Sequence, residues 1–200
     1  MDDSFCYFRL RAEEGGWQAL AEGLEKHTRP RWEQAGIQCW GVWQGLLGIA
    51  SNELLLMAAA HGERPAADFG VDFADGATVE DCLLLRATAR PEGIEPLHAE
   101  GLYVLRFFEA EPRNFDEMVA LSTEAWETFE PSALYQARPQ GLFRPAAVEG
   151  DVGRMLLVTW YDGFLSWETS RLPAPQAQEN FRKRQRLTRS TVAYATRLLL

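Results

Sequence analysis

The chain has 200 residues, of which 46 % are hydrophobic, and a formal net charge of −9. This hydrophobic content suffices for one compact domain or two small ones, and it excludes a disordered chain. The negative charge repels nucleic acid phosphates and anionic membrane surfaces, so we expect neither as a partner.

The first half of the chain begins with a strand pattern and continues with a helical one. Residues 5–11 are apolar and aromatic and predict a strand. From Trp17 onward the apolar residues recur at helical spacing, and Pro30 predicts a kink or restart near residue 29. The segment 62–78 is rich in Gly, Ala, Asp and Pro, so the second helix of this half is reduced. The remaining predicted strands of this half are residues 37–44, 53–60 and 81–89.

The second half follows the same order, with a longer second helical region. Residues 91–100 contain two prolines and a glycine and predict a linker. Helical spacing predicts a helix at 115–130, and a second helical region at 163–190 is interrupted at residues 173–175 by Pro-Ala-Pro. The predicted strands are residues 102–109, 134–144, 154–161 and 191–199.

Three short sequence matches, in the same order, relate the two halves. They pair residues 6–10 with 103–107, 44–46 with 140–142 and 54–57 with 155–158, at offsets of 97 (106 − 9), 96 (140 − 44) and 101 (155 − 54). We interpret the chain as two fused copies of one βαββαβ module, the ferredoxin-like pattern. This is an α+β fold with module 1 at residues 1–90, a linker at 91–100 and module 2 at 101–200.

Each four-stranded sheet has helices on one face only, and its other face needs a partner. We expect the two bare faces to pack sheet to sheet, which gives an intramolecular dimeric α/β barrel and a monomer that is a pseudo-dimer. The alternative is that each module dimerises with another chain, which gives a homodimer.

The three cysteines, Cys6, Cys39 and Cys82, form no metal-binding spacing and are expected as free thiols of a reducing cytosol. Cys6 and Cys82 lie in apolar strand patterns, where a small buried hydrophobic residue is the expected role. The N-terminus has neither a basic start nor an apolar signal core. The most apolar stretch, residues 46–60, is interrupted by polar residues and is not expected to span a membrane. We therefore expect a cytoplasmic protein.

Several short motifs occur together in the second half: Tyr-Val-Leu-Arg at residues 103–106, Trp-Tyr-Asp at 160–162, Arg171, and an aromatic and basic helical stretch at 180–187. In these motifs residues 101–199 resemble the NIPSNAP family of the dimeric α/β-barrel superfamily. The resemblance implies a fold whose wider superfamily includes cofactor-independent monooxygenases, haem-degrading enzymes and ligand carriers.

Arg9 and Arg106 are equivalent according to the repeat. Strand side chains alternate between faces, so we expect Val104, Arg106 and Phe108 to point away from the helices into the barrel, as Arg9 would beside Tyr7. A buried charge without a partner is very costly. Two partners remain open: an anionic ligand held by an arginine clamp, or an Asp or Glu of a neighbouring strand.

Further candidate ligand-binding residues lie where the third strand of each half ends. His61 aligns with Asp162 at the rim of the expected pocket, as a base, a haem ligand or an exposed loop residue. Trp160 and Tyr161 offer aromatic surface to a flat ligand or pack in the core. The basic run at residues 182–189 is expected to be a solvated helix face.

No nucleotide-binding glycine motif, nucleophile motif or His-rich metal motif occurs in the sequence. We therefore expect no metal site and no cofactor, with haem as the alternative. The sequence predicts a protein that binds a small organic ligand, anionic if arginines hold it, in a pocket inside the barrel. The alternatives are a cofactor-independent or haem-linked monooxygenase, by analogy of fold, and a non-catalytic interaction domain.

Overall fold

The computed structural model describes residues 3–71 and 77–199. Contacts between Cα atoms divide the chain into two compact units. Unit 1 comprises the described residues up to Ala87, the segment Gly93–Ala99 and the residues from Thr196 onward. Unit 2 comprises Thr88–Glu92 and Glu100–Ala195. Part of the segment predicted to lack a long helix, residues 72–76, lies outside the described residues, and the domain boundaries predicted at residues 90 and 101 stay a prediction.

The described part of unit 1 contains four strands and one interrupted helix. The strands are β1 (Ser4–Ala12), β2 (Ile37–Leu47), β3 (Glu53–Ala60) and β4 (Ala77–Arg90), in the antiparallel order β4-β1-β3-β2. The helix runs as α1 (Trp17–Gly23), a π-helical turn (Leu24–Thr28) and α2 (Arg29–Gln34). The irregular turn ends at Thr28, two residues before Pro30, which lacks the N–H that a regular helix interior needs. Ala66–Phe69 adds only a short 3₁₀ turn.

The helices of unit 1 cover an apolar face of its sheet. Phe8 and Leu10 of β1 pack there against Leu24, Trp32 and Phe69, all of them buried. Burying each such large side chain stabilises the fold by about 1.5–3 kcal/mol. Around Phe8 and Leu10, the helix-covered face of this unit is therefore filled by hydrophobic side chains.

Unit 2 has the same strand order but two long helices. Its strands are β5 (Leu102–Ala110), β6 (Ala137–Pro145), β7 (Gly153–Tyr161) and β8 (Thr188–Leu198), in the order β8-β5-β7-β6. Its helices are α3 (Phe115–Phe129), α4 (Phe164–Thr169) and α5 (Pro175–Arg186). The chain breaks between α4 and α5 where Pro-Ala-Pro is predicted to interrupt it, and Pro175 starts α5 at a position where no N–H is required.

Each unit therefore has the strand order of a ferredoxin-like module with helices on one face. The α+β fold class predicted from the sequence is confirmed. Among residues 3–71 and 77–199, no helix has the length and apolar character needed to cross a membrane.

The structure corrects the register predicted for the first strands of the two halves. β1 begins at Ser4 and β5 at Leu102, an offset of 98 (102 − 4) rather than 97. A shift of one residue moves every side chain of a strand to the opposite face. The counterpart of Arg106 is therefore Phe8 (106 − 98), and the predicted equivalence of Arg9 and Arg106 is wrong.

Candidate ligand-binding site

Unit 2 contains a cavity of about 320 Å³ between its sheet and its helices. Alternate residues of two neighbouring strands form the floor, since their side chains share one face of the sheet. In β5 and β7 these residues are Val104, Arg106, Phe108, Leu157, Thr159 and Tyr161. Arg106 lies directly opposite Leu157 across the antiparallel pair. The cavity that Arg106 lines is therefore on the helix-covered face, and its predicted position inside the barrel is wrong.

Two helices form an aromatic roof over this floor. α3 buries a stripe of residues at helical spacing, whose last members, Trp126 and Phe129, line the cavity. Phe181 of α5 meets Phe129 edge to face, with ring centroids 5.6 Å apart. Edge-to-face pairs of this kind contribute about 0.5–1.5 kcal/mol beyond the area that they bury. The roof is thus an aromatic surface.

Arg184 of α5 is buried in the roof, with 8 % of its surface exposed. Its guanidinium carbon lies 4.7 Å from the ring centroid of Phe108 and 5.0 Å from that of Phe181. Its Nη1 donates to Ser122 Oγ at 2.8 Å, and this hydroxyl donates in turn to the Met118 carbonyl at 2.6 Å. Arginine suits the position because its planar cation stacks on aromatic rings while donating hydrogen bonds in the plane.

The charge of the cavity is positive. Arg106, Arg171 and Arg184 all line it, while no Asp or Glu is among its described lining residues. Burial, the main cause, and the neighbouring charge of Arg106 together lower the pKa of Arg184 to about 9, so the side chain stays protonated at neutral pH. Burial is also the main cause of the lowered pKa of Arg106, and Arg171 adds to it.

None of these three arginines has a carboxylate partner in the part of the chain that the structure describes. The exposed Arg182, at the edge of the same cavity, differs because its Nη1 lies 2.6 Å from Glu179 Oε2. Arg184 is buried and Arg106 is half-buried, whereas Arg171 is exposed. Taking the first two cations out of water without an anion costs free energy. A bound anion would remove that cost.

Tyr161 faces the three arginines from the end of β7. It is 7 % exposed. Burial raises the pKa of its phenol, and a hydrogen bond with Ser170 together with the charges of Arg106, Arg171 and Arg184 opposes that rise. The net pKa is raised, so Tyr161 is a neutral phenol at pH 7 that can donate a hydrogen bond to an anion.

The structure brings together two of the six residues predicted to bind a ligand. Arg106 and Tyr161 line the same cavity. Trp160 is on the opposite face of β7, where its Nε1 donates to the Glu100 carbonyl at 2.8 Å. Tyr7 is fully buried in unit 1. His61 is exposed, and its Nδ1 lies 3.1 Å from Asp3 Oδ1. The binding roles predicted for these residues stay predictions.

Arg9 takes part in an ion pair inside unit 1. Its Nη2 lies 2.7 Å from Glu53 Oε2, and Arg11 Nη2 lies 2.7 Å from Glu53 Oε1. The Glu53 side chain is fully buried. Burial acts to raise its pKa, but the hydrogen bonds from Arg11 and Arg9 outweigh burial and lower it overall. The sequence left open whether Arg9 pairs with an anionic ligand or with an Asp or Glu of a neighbouring strand, and the structure shows that it pairs with Glu53.

Arg184 is the cavity residue that sequence reasoning missed, because the whole run at residues 182–189 was expected to be solvated. Arg182, Lys183 and Arg186 are exposed as predicted, whereas Arg184 is buried. The signal was its helical spacing from Ala177 and Asn180, which are also buried. A basic residue in phase with the buried face of a helix marks a functional position.

The cavity does not fit a haem bound through histidine, cysteine or methionine. None of these residue types is among the described residues that line it. Tyr161 is the one described lining residue of a type that binds haem iron, and burial favours its protonated form. In addition, no group of three or more His, Cys, Asp or Glu in residues 3–71 and 77–199 is arranged to hold a metal ion.

Solved structures resemble this chain over nearly its full length. An anthrone oxidase-like protein is 12 % identical, with a TM-score of 0.62, covering 98 % of this chain and 92 % of that one. A mutant chlorite dismutase from Candidatus Nitrospira defluvii is 11 % identical, with a TM-score of 0.63, covering 99 % and 91 %. A candidate monooxygenase from Lactobacillus acidophilus is 10 % identical, with a TM-score of 0.59, covering 98 % and 93 %.

At these identities the likeness shows the fold alone. The similar structures are dimeric α/β-barrel proteins, which is the fold class predicted from the sequence. No family model matches the chain, and no curated protein matches it. The resemblance to the NIPSNAP family therefore stays a prediction.

Proposed function

We propose that the protein binds a small aromatic anion, such as an aromatic carboxylate, in the cavity of unit 2. The observation that carries this proposal is the group formed by Arg106, Arg171 and Arg184, which line a cavity without a carboxylate among its described lining residues. Guanidinium groups match the geometry of a carboxylate and form charge-assisted hydrogen bonds with it. Each such bond contributes about 1.5–3 kcal/mol.

The aromatic residues that line the cavity indicate that the ligand is aromatic. Phe108, Trp126, Phe129 and Phe181 present ring surfaces around the arginines. The volume of about 320 Å³ is at the lower end of the roughly 300–1,000 Å³ that is typical of small-molecule sites. A planar acid of one or two rings would place its rings among these side chains and its charge beside Arg106. The ligand would thus be compact.

The test uses two ligands that differ only in charge. Isothermal titration should detect binding of 2-naphthoate and at least about tenfold weaker binding of the neutral 2-naphthamide. In Arg106→Gln, binding of 2-naphthoate should weaken by about 10–100-fold while the melting temperature is retained. Arg186→Gln, an exposed change on the same helix as Arg184, is the control and should bind like the wild type. Equal affinity for the acid and the amide would contradict the proposal.

A second candidate is oxygenation of an ionisable aromatic substrate without a cofactor. It is favoured by the likeness to an anthrone oxidase-like protein and to candidate monooxygenases. A CH₂ group of the substrate would lose two C–H bonds and gain a C=O bond, while O₂ supplies that oxygen and is reduced to one water. The described lining residues offer no Asp, Glu, His or Lys as a base. The substrate would therefore have to ionise on its own, with the arginines stabilising its anion.

Anthrone is the probe for this second candidate. Oxygen uptake above the spontaneous oxidation rate, with formation of the quinone, would support it, and Arg106→Gln should abolish the excess rate. Uptake equal to that of buffer, together with normal binding of 2-naphthoate, would leave binding without catalysis as the function.

A further inference from the structure

Two cysteines that are 76 residues apart in the sequence are neighbours in unit 1. Cys6 lies in β1 and Cys82 in β4, two adjacent antiparallel strands. Cys82 is directly opposite Phe8, and Cys6 is opposite Leu84, so the two cysteines occupy diagonal positions on one face of the sheet. Their sulfur atoms are 3.7 Å apart and share a hydrogen bond.

The two thiols differ in exposure and in acidity. Cys6 is fully buried in the hydrophobic core, whereas Cys82 is exposed. The role of a buried hydrophobic residue that was predicted for Cys82 is therefore wrong. The hydrogen bond with Cys6 lowers the pKa of Cys82, and the same bond, with burial, raises the pKa of Cys6. The accessible sulfur is thus the more nucleophilic one, and a protonated thiol lies beside it.

We propose that Cys82 and Cys6 form a reversible intramolecular disulfide when the protein meets a peroxide. The Cys82 thiolate attacks one peroxide oxygen, the O–O bond breaks, and Cys82 becomes a sulfenic acid while the other oxygen leaves as water or an alcohol. The Cys6 sulfur then attacks the sulfenic sulfur. An S–S bond forms, the S–O bond breaks, and water leaves with the Cys6 proton. A dithiol reductant reverses the modification by thiol–disulfide exchange.

The fold brings the two sulfur atoms close to each other. The sulfur atoms need to approach from 3.7 Å to the bonded distance of about 2.05 Å. β1 and β4 are already joined by backbone pairing from Ser4 to Ala12, so the disulfide would link strands that are neighbours without it. Cys39 is in β2, which β3 separates from β1. Burial raises the pKa of Cys39, so it competes poorly as a nucleophile.

The test treats the whole protein with a small excess of hydrogen peroxide. The intact mass should fall by two hydrogen atoms, and the titratable thiols should fall from three to one. Peptide mapping should identify the Cys6–Cys82 link, and dithiothreitol should restore all thiols. The oxidised form should melt several degrees higher, because the link constrains the unfolded chain.

Variants separate the two roles. In Cys6→Ala the sulfenic acid of Cys82 should persist and be trapped by dimedone. In Cys82→Ser, an exposed change that keeps the core intact, no mass change should occur at the same peroxide dose. Cys39→Ala should behave like the wild type. A disulfide that includes Cys39 would overturn the proposal. So would oxidation of Cys82 to its sulfinic or sulfonic acid at the same rate in the wild type and in Cys6→Ala.

Discussion

The two units have the same strand order but use the helix-covered face of their sheets differently. At equivalent positions unit 1 has Phe8 buried in a hydrophobic core, whereas unit 2 has Arg106 on the floor of a cavity. Between the third and fourth strands, the 3₁₀ turn Ala66–Phe69 is the only helical element in the described part of unit 1, while unit 2 has α5 with Arg184. The candidate site of unit 2 therefore goes together with an arginine in place of Phe8 and with the added helices α4 and α5.

This difference shows where unsatisfied charge is tolerated. Unit 1 also contains buried charge, but Glu53 has two arginine partners within it. Unit 2 leaves Arg106 without a carboxylate partner among the described residues. Charged groups that lack a partner of opposite charge inside a protein occur mainly at functional sites, so unit 2 is the better candidate for binding.

Exchanging the residues at the equivalent positions gives the largest expected effect. Phe8→Arg should destabilise the protein by on the order of 5 kcal/mol, since it removes a buried ring and buries a charge. Phe8→Met, the matched control, should cost far less. Urea denaturation measures both. Arg106→Phe should be neutral or stabilising, and a tolerated Phe8→Arg would show that the faces have been assigned wrongly.

Removing both cations that pair with Glu53 should cost nearly as much. The double variant Arg9→Met and Arg11→Met leaves a buried carboxylate unpaired, which typically costs about 3–5 kcal/mol. Adding Glu53→Met should recover most of that loss, since an apolar triple replaces the whole ion group. If the double variant unfolds at the same urea concentration as the wild type, the ion pairs contribute nothing to stability.

Within unit 2, the next prediction concerns the hydrogen bond from Arg184 to Ser122. Ser122→Ala removes the hydroxyl that accepts from Arg184 and should cost about 1–3 kcal/mol. Thr123→Ala, next in α3, removes an exposed hydroxyl that donates to the Val119 carbonyl, and it should change stability by less than about 0.5 kcal/mol. Equal effects of the two changes, measured by thermal denaturation, would mean that Arg184 does not depend on Ser122.

The smallest expected effect is a dependence on acid. The pKa of Glu53 is lowered below its ordinary value of 4.5, so the folded state binds protons less readily than the unfolded state. Its contribution to stability is therefore complete above pH 4.5 and is lost as the pH falls from there through the lowered pKa. Urea midpoints measured across this range should fall more steeply for the wild type than for Glu53→Gln. Parallel curves would contradict this assignment.

The sequence alone determined the elements and their order. Apolar and aromatic runs marked the strands, helical spacing marked the helices, and Pro30 and Pro175 marked irregularities that the structure contains. These signals are local, because each depends on neighbours within a few residues. The order of the elements then sufficed for the ferredoxin-like fold class.

The tertiary structure decided which residues share a site. Alternation told which side chains of a strand share a face, but not which face meets the helices, so Arg106 was assigned to the wrong face of β5. An error of one residue in the repeat then made Arg9 its counterpart. Likewise, only the packing of α5 on α3 buries Arg184 while Lys183 and Gln185 on either side of it stay exposed. The pairing of β1 with β4 brings together two cysteines 76 residues apart. Long-range contacts determine the environment of each charge and thiol, and local sequence patterns do not predict these contacts.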